Sequence, residues 1–194
     1  MAALTAVSPD PVTLARESYN GVETYSVTLK SENKGGSEVL RYYYRRPGQI
    51  RMEFEKPYKG ALLTYDPEEG KVRVRPFPNL KFLVFAFPPD NRMVKSSRGH
   101  RVDESDIGAL LKAVEELKSK GRVEVLHNER VFGRDAIVVS VTGKDGSTAD
   151  TDVNRYILWL DKSSYLPLKA EAYGVKGDLI ERVLMDDLEV NVDW

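Results

Sequence analysis

At 194 residues the chain is long enough to bury one sizeable core, and a 41% hydrophobic content is enough to fill it. Twenty-nine Lys and Arg against 30 Asp and Glu leave a formal net charge of −1, so no bulk field points to nucleic acid or to an anionic membrane. Cysteine is absent, which excludes disulfides, thiolate nucleophiles and Cys-ligated metals within the chain.

The start "MAALTAVSPDP" has no basic n-region and no apolar stretch long enough for an h-region. It reads either as a cytosolic protein or as a mature domain from which a leader has been removed, with residues 1–9 expected to be a flexible segment and one domain spanning 1–194. Asp10 then provides an N-cap and Pro11 a first helical position, and Val12, Ala15, Tyr19 and Val22 follow at helical spacing to a stop at Gly21. From Thr24 the period changes to two. Tyr25, Val27 and Leu29 alternate with polar residues; after the turn around Gly35 and Gly36, Leu40, Tyr42 and Tyr44 share one face while Arg41, Tyr43 and Arg45 share the other. "QIRMEFE" puts Ile50, Met52 and Phe54 inward, and "ALLTY", the turn "YDPEEG" and "KVRVR" continue a meander whose short connections exclude parallel crossovers.

"KFLVFAFPP" (81–89) is apolar on both faces from Phe82 to Phe87, and alternation predicts a strand with one face in the core and the other toward a helix or ligand, ended by Pro88 and Pro89. Residues 103–120 are predicted as an amphipathic helix: Asp103 caps, Val102 and Ile107 have staple spacing, and Ile107, Leu110, Leu111, Val114 and Leu117 form one stripe that ends before Gly121. Strand patterns resume with "RVEVLH", "DAIVVSVT", "RYILWLD", "LPLKAEAY", "LIERVLM" and "LEVNV". The total, about ten or eleven antiparallel strands, is a number at which one sheet must curl strongly or close.

Catalytic and metal motifs are missing. The two histidines, His100 after "SSRG" and His127, stand apart and beside no nucleophile, and no G-x-S-x-G, H-E-x-x-H or Walker loop occurs. Asp145, Asp150 and Asp152 lack EF-hand spacing and read as a solvated turn. "RYYYRR" has the composition of a base-stacking platform, but its alternation assigns Tyr42 and Tyr44 to the core, so no nucleic-acid partner is expected. No cofactor, no metal and no enzymatic activity are expected. What remains is apolar surface in excess of one sheet face, which either closes a dry core or encloses a cavity for an acyl chain with the central helix as lid.

Three pieces resemble the LolA/LolB-like superfamily of periplasmic lipoprotein carriers: "RRPGQIRMEF", with Arg46–Pro47 ending one strand before the next; "LLTYDPEEGKVRVRPFP"; and the late hairpin "LWLDKSSYLPLKAEAY". The resemblance implies a mainly β (α+β) fold: a single curled antiparallel sheet forming an incomplete barrel of about eleven strands, an N-terminal helix, and the central helix as lid over the concave face. It implies that Arg46 latches the lid through bonds to lid-segment backbone carbonyls. Alternation supplies the expected acyl-cavity lining: Tyr42, Tyr44, Met52, Phe54, Leu63, Phe85, Phe87, Leu110, Leu111 and Val114. Met52 and Phe54 stand where carriers tend to show Trp or Tyr, which marks a divergent member. The implied function is non-enzymatic binding or transport of lipid-modified protein or another acyl ligand, in the periplasm or tethered to the outer membrane as a lipoprotein. Lipoprotein acyl chains or lipid are the implied partners, with a membrane-bound donor or acceptor protein, and no transmembrane segment is expected. The alternatives are an envelope adaptor with a filled core that binds a protein partner and, more distantly, a hydrolase of lipid-like substrates.

Overall fold

The structure, a computed structural model, describes residues 9–96, 98–144 and 152–194. The expected flexible segment, but for its last residue, and the turn residues Asp145 and Asp150 lie outside the described residues. Helix α1 (Pro11–Asn20) starts as its sequence dictates: the Asp10 carboxylate accepts hydrogen bonds from the amides of Val12 (3.0 Å) and Thr13 (3.2 Å), and Pro11 occupies a position whose missing N–H costs nothing. Six strands follow as a meander, β1 (Thr24–Asn33), β2 (Gly36–Arg45), β3 (Gln49–Lys56), β4 (Leu62–Asp66), β5 (Lys71–Arg75) and β6 (Phe85–Phe87). Helix α2 (Ile107–Ser119) interrupts them before β7 (Gly121–Val131), β8 (Arg134–Gly143), β9 (Val153–Asp161), β10 (Pro167–Gly174) and β11 (Leu179–Val190).

All eleven strands belong to one antiparallel sheet in the order β6-β5-β4-β3-β2-β1-β11-β10-β9-β8-β7. The first and last strands of the chain therefore meet in the middle of the sheet, and among the described residues β6 and β7 end it without pairing to each other. The incomplete barrel expected from the sequence is the architecture found. Cross-strand register carries the inward faces in continuous rows: Val27, Tyr42, Met52, Leu63, Val74 and Phe85 stand opposite one another from β1 to β6. Both helices pack on this inner face, and their buried residues join the inward rows in one core that includes Val12, Tyr19, Tyr25, Tyr42, Leu111, Val114 and Leu158.

Three sequence expectations change. The strand predicted over 82–87 is only Phe85–Phe87; Leu80 to Leu83 turn back on themselves and Phe82 is 84% exposed, because four prolines at 76, 78, 88 and 89 leave little backbone free to pair. Strands buried on both faces do exist, but they are β8 and β9, whose outward Ala136, Val138 and Trp159 form a second small cluster with Val131 and Leu168. The central helix begins at Ile107 with Asp106 as cap, since Val102–Glu104 form a separate 3₁₀ turn and Asp103 is engaged by Arg101 at 2.6 Å. The two terminal patterns "LIERVLM" and "LEVNV" fuse into the single strand β11, which accommodates Asp187 at a φ of 50° where its register with β1 shifts.

Candidate ligand cavity

A row of tyrosines fixes where α2 starts. Tyr25 stacks on Tyr42 (centroids 5.9 Å apart) and on Tyr44 (5.2 Å), and Tyr19 of α1 leans on Tyr44 at 6.4 Å. Their hydroxyls reach the α2 N-terminus: Ile107 N–H donates to Tyr25 Oη (3.1 Å), Tyr42 Oη pairs with Ser105 Oγ (3.2 Å), and Tyr19 Oη donates to Asp106 Oδ2 (2.5 Å). Burial pushes the hydroxyl pKa of Tyr19, Tyr25 and Tyr42 well above the ordinary value, so these groups act as permanent donors and acceptors. Asp106 in turn caps α2 by accepting from the amides of Gly108 (3.2 Å) and Ala109 (3.0 Å).

The two helices run antiparallel and are clasped at both ends. Besides Tyr19 with Asp106, Lys118 Nζ lies 2.5 Å from Asp10 Oδ2. The contact is close because residue 108 is glycine: a β-carbon there would stand 2.6 Å from the Tyr19 ring. Arg46 secures the far end of α1. Its guanidinium donates to the carbonyls of Val22 (2.7 Å), Tyr19 (2.8 Å) and Asn20 (3.1 Å) and sits 5.6 Å from the centre of the Tyr19 ring. The bonds to backbone carbonyls are thus made to α1, and Arg46 reaches α2 through Tyr19.

Between α2 and the sheet lies a hollow of about 490 Å³. Its floor comes from β1, β2, β10 and β11, with Val27, Leu29, Leu40, Ala170 and Met185 among its residues; Ile107, Leu110 and Ala113 cover it from α2, and Val94, Ser96, Arg98, Arg101 and Val102 border its mouth. Of the lining residues expected from alternation, Tyr42, Met52, Phe54, Leu63 and Leu110 face this space. Tyr44, Leu111 and Val114 are buried in the adjoining core, while Phe85 and Phe87 stand at the sheet edge. The split within α2 has a geometric cause. The centre of its apolar stripe is taken by α1, β7, β8 and β9, and only the flank carrying Leu110 and Ala113 looks into the hollow.

Sequence reasoning missed the contribution of β10 and β11. The signal was present in "LKAEAY", where Ala170 and Ala172 point inward and small side chains leave space that larger ones would fill. It also missed the polar mouth. Arg98 Nη1 bonds Glu181 Oε2 at 3.2 Å with both side chains about four-fifths buried, and Glu38 and His100 stand with them. Burial and the neighbouring Glu181 raise the Glu38 pKa, and burial and Arg98 lower that of His100. Among the described residues no group of acidic and histidine side chains could hold a metal ion, and no helix is long and apolar enough to cross a membrane.

Comparison with known proteins places this architecture. The profile of the MucB/RseB N-terminal domain family matches residues 83–194. Among solved structures, the chain is similar to MucB in the Pseudomonas aeruginosa MucA/MucB complex, at 21% identity over 95% of this chain and 57% of that one, with a TM-score of 0.54. A crystal structure of MucB gives 20% identity over 95% of this chain and 59% of that one, with a TM-score of 0.56. The Mycobacterium tuberculosis lipoprotein LppX gives 10% identity over 94% and 96% of the two chains, with a TM-score of 0.55. At these identities the likeness is one of fold, and the chain spans less than three fifths of the MucB chains it matches. No curated protein sequence matches it. The open, curled antiparallel sheet with helices on its inner face that the carrier resemblance implies is the fold found.

Proposed function

The chain belongs to the MucB/RseB N-terminal domain family, and from that premise we propose that it is a non-enzymatic binding domain of the bacterial envelope that takes an acyl chain into the hollow under α2. The observation that carries this reading is the hollow itself: about 490 Å³ walled by Val27, Leu29, Leu40, Met52 and Leu110, with charged side chains such as Arg98 and Glu181 among its lining. A saturated chain enters such a space for about 0.8 kcal/mol per methylene, and its polar end remains among Arg98, Glu181 and His100. The setting is the periplasm, either free or tethered at the outer membrane, and the cargo is a lipid-modified protein or a lipid in transit. A second reading, partner-protein binding by the outer surface, is favoured by the complex of MucB with MucA among the similar structures. The hollow counts against the version of that reading with a filled core.

The test is displacement of a fluorescent fatty acid from the purified protein by single-chain lipids of increasing length. Affinity should rise about fourfold per added methylene until the hollow is full and then level off. Ala170→Phe, which projects a ring into the floor, should weaken binding of the longest chains at least tenfold while the melting temperature holds. Absence of saturable binding, or affinity independent of chain length, would remove the acyl-cavity reading.

A further inference from the structure

The sheet edge at β5 and β6 carries three of the four exposed phenylalanines of the described residues. Phe82 is 84% exposed, Phe77 53% and Phe85 45%, with Leu80 and Val84 beside them. They project because the chain makes two successive tight turns, Leu80 N–H to Phe77 O (3.2 Å) and Leu83 N–H to Leu80 O (3.0 Å), which thrust Phe82 outward. The β3–β4 turn joins the same surface: Gly60, at a φ of +81°, packs so closely on Pro78 that a β-carbon would lie 2.9 Å from its ring, and the exposed Tyr58 stands two residues away.

The charge along this stretch of the chain is one-sided. From residue 70 to residue 89 the chain has Lys71, Arg73, Arg75 and Lys81 and no acidic residue, between Glu69 and Asp90, in a protein whose remaining charge is net acidic. Arg73 is engaged by Glu69; no ion pair is made by Lys71, Arg75 or Lys81 among the described residues. Exposed aromatic side chains interspersed with the exposed, unpaired Lys71 and Lys81 suit an interface between hydrocarbon and anionic head groups. We propose that the β5–β6 edge is a docking surface for an anionic lipid bilayer, with Phe82 as its deepest-entering side chain.

The other occupants fit less well. An added strand would need a long free edge, whereas β6 has three residues and prolines at 76, 78, 88 and 89 bracket it. A second copy of the chain would set Lys71, Arg75 and Lys81 against their equivalents, which is repulsive. Docking also has a geometric sequel, since the chain passes from Phe87 through six residues into Val94, which borders the hollow. The inference does not depend on what the hollow holds.

Flotation of the whole chain with vesicles of phosphatidylglycerol and phosphatidylethanolamine (1:3), against vesicles of phosphatidylcholine alone, tests it. Association is expected with the anionic vesicles at 50 mM NaCl and should fall at 500 mM. Phe77→Ser with Phe82→Ser should lower the partition coefficient at least tenfold, and Lys81→Ala about fivefold. Val175→Ser, an exposed apolar residue outside this stretch, should change nothing. A Phe82→Trp variant should gain a blue-shifted emission that brominated lipid quenches. No association with anionic vesicles, or equal association by the double Ser variant, overturns the proposal; so does loss of self-association or of binding to a protein segment in those variants with vesicle binding unchanged. Fatty-acid displacement in vesicle-free solution should be the same for the double variant and the parent, so failure of the docking proposal and failure of the cavity reading are distinguishable.

Discussion

Asp161 shows how a single buried carboxylate can organise a turn. It is almost fully buried, accepts from the amides of Ser163 (2.7 Å) and Ser164 (3.0 Å), and pairs with Arg134 Nε at 2.6 Å. Burial alone would raise its pKa, but these partners outweigh it and hold the group below its ordinary value of 3.8. A carboxylate with a depressed folded pKa contributes stability that is complete above the unfolded value and is lost as pH falls through the folded one. Asp161→Ala should therefore cost about 3 kcal/mol in urea unfolding at pH 7, by stranding Arg134 and two amides, and the difference from the parent should shrink as acid protonates the native carboxylate. Arg46 makes a complementary case. Arg46→Leu removes three charge-assisted bonds at the end of α1 and should cost about 2 kcal/mol. If the residue latches the lid, the same variant changes lipid uptake; uptake and release identical to the parent would count against the latch. The Arg-Pro pair was visible in the sequence, but its carbonyl partners were not, because they lie 24 to 27 residues away and depend on how α1 docks.

At the level of elements, α2 has neighbouring leucines with opposite duties. Leu111 is fully buried against the core, so Leu111→Ala should lower stability by about 3 kcal/mol in thermal or urea unfolding. Leu110 borders the hollow, so Leu110→Ala should cost much less and instead move the chain-length optimum of bound lipids upward. An unchanged optimum would mean that the hollow is not measured by the ligand. The existence of the helix was legible from its stripe, and so were the hairpins from their alternation. Which flank of the stripe faces the hollow was not legible, since α1 and β7–β9 decide it. The segment 82–87 misled for a related reason. Its alternation is that of a strand, yet hydrophobic pattern records what a chain would bury given a partner, and among the described residues none covers Phe82, Val84 or Phe85.

Across the whole molecule, the seam between β1 and β11 joins residues far apart in sequence, such as Tyr25 with Val190 and Leu29 with Met185. Neither half of the sheet can complete its central pairing until both ends of the chain are present, which predicts slow, concentration-independent folding for this size. Amide exchange should report the same arrangement. Protection is expected to be greatest in β1, β2, β10 and β11 and least in β6 and the outer part of β7, as followed by mass spectrometry of peptic fragments. Fast exchange across the β1–β11 seam would show that the sheet is two loosely joined halves. The sheet as a whole was legible because each strand carries its own alternation; the order in which the halves meet was not, as nothing local encodes a pairing between the first strand and the last.

The two sheet edges, unpaired among the described residues, give the molecule an elasticity that a closed barrel lacks. In a barrel, strand number and shear fix the radius, and no side chain can widen it without breaking a backbone ladder. Here β6 and β7 share no ladder, so the bowl deepens or flattens by a small change of twist at each of ten strand pairs, with every hydrogen bond kept. The volume of the hollow is then set by curvature more than by composition, and one scaffold can enclose hollows of different girth.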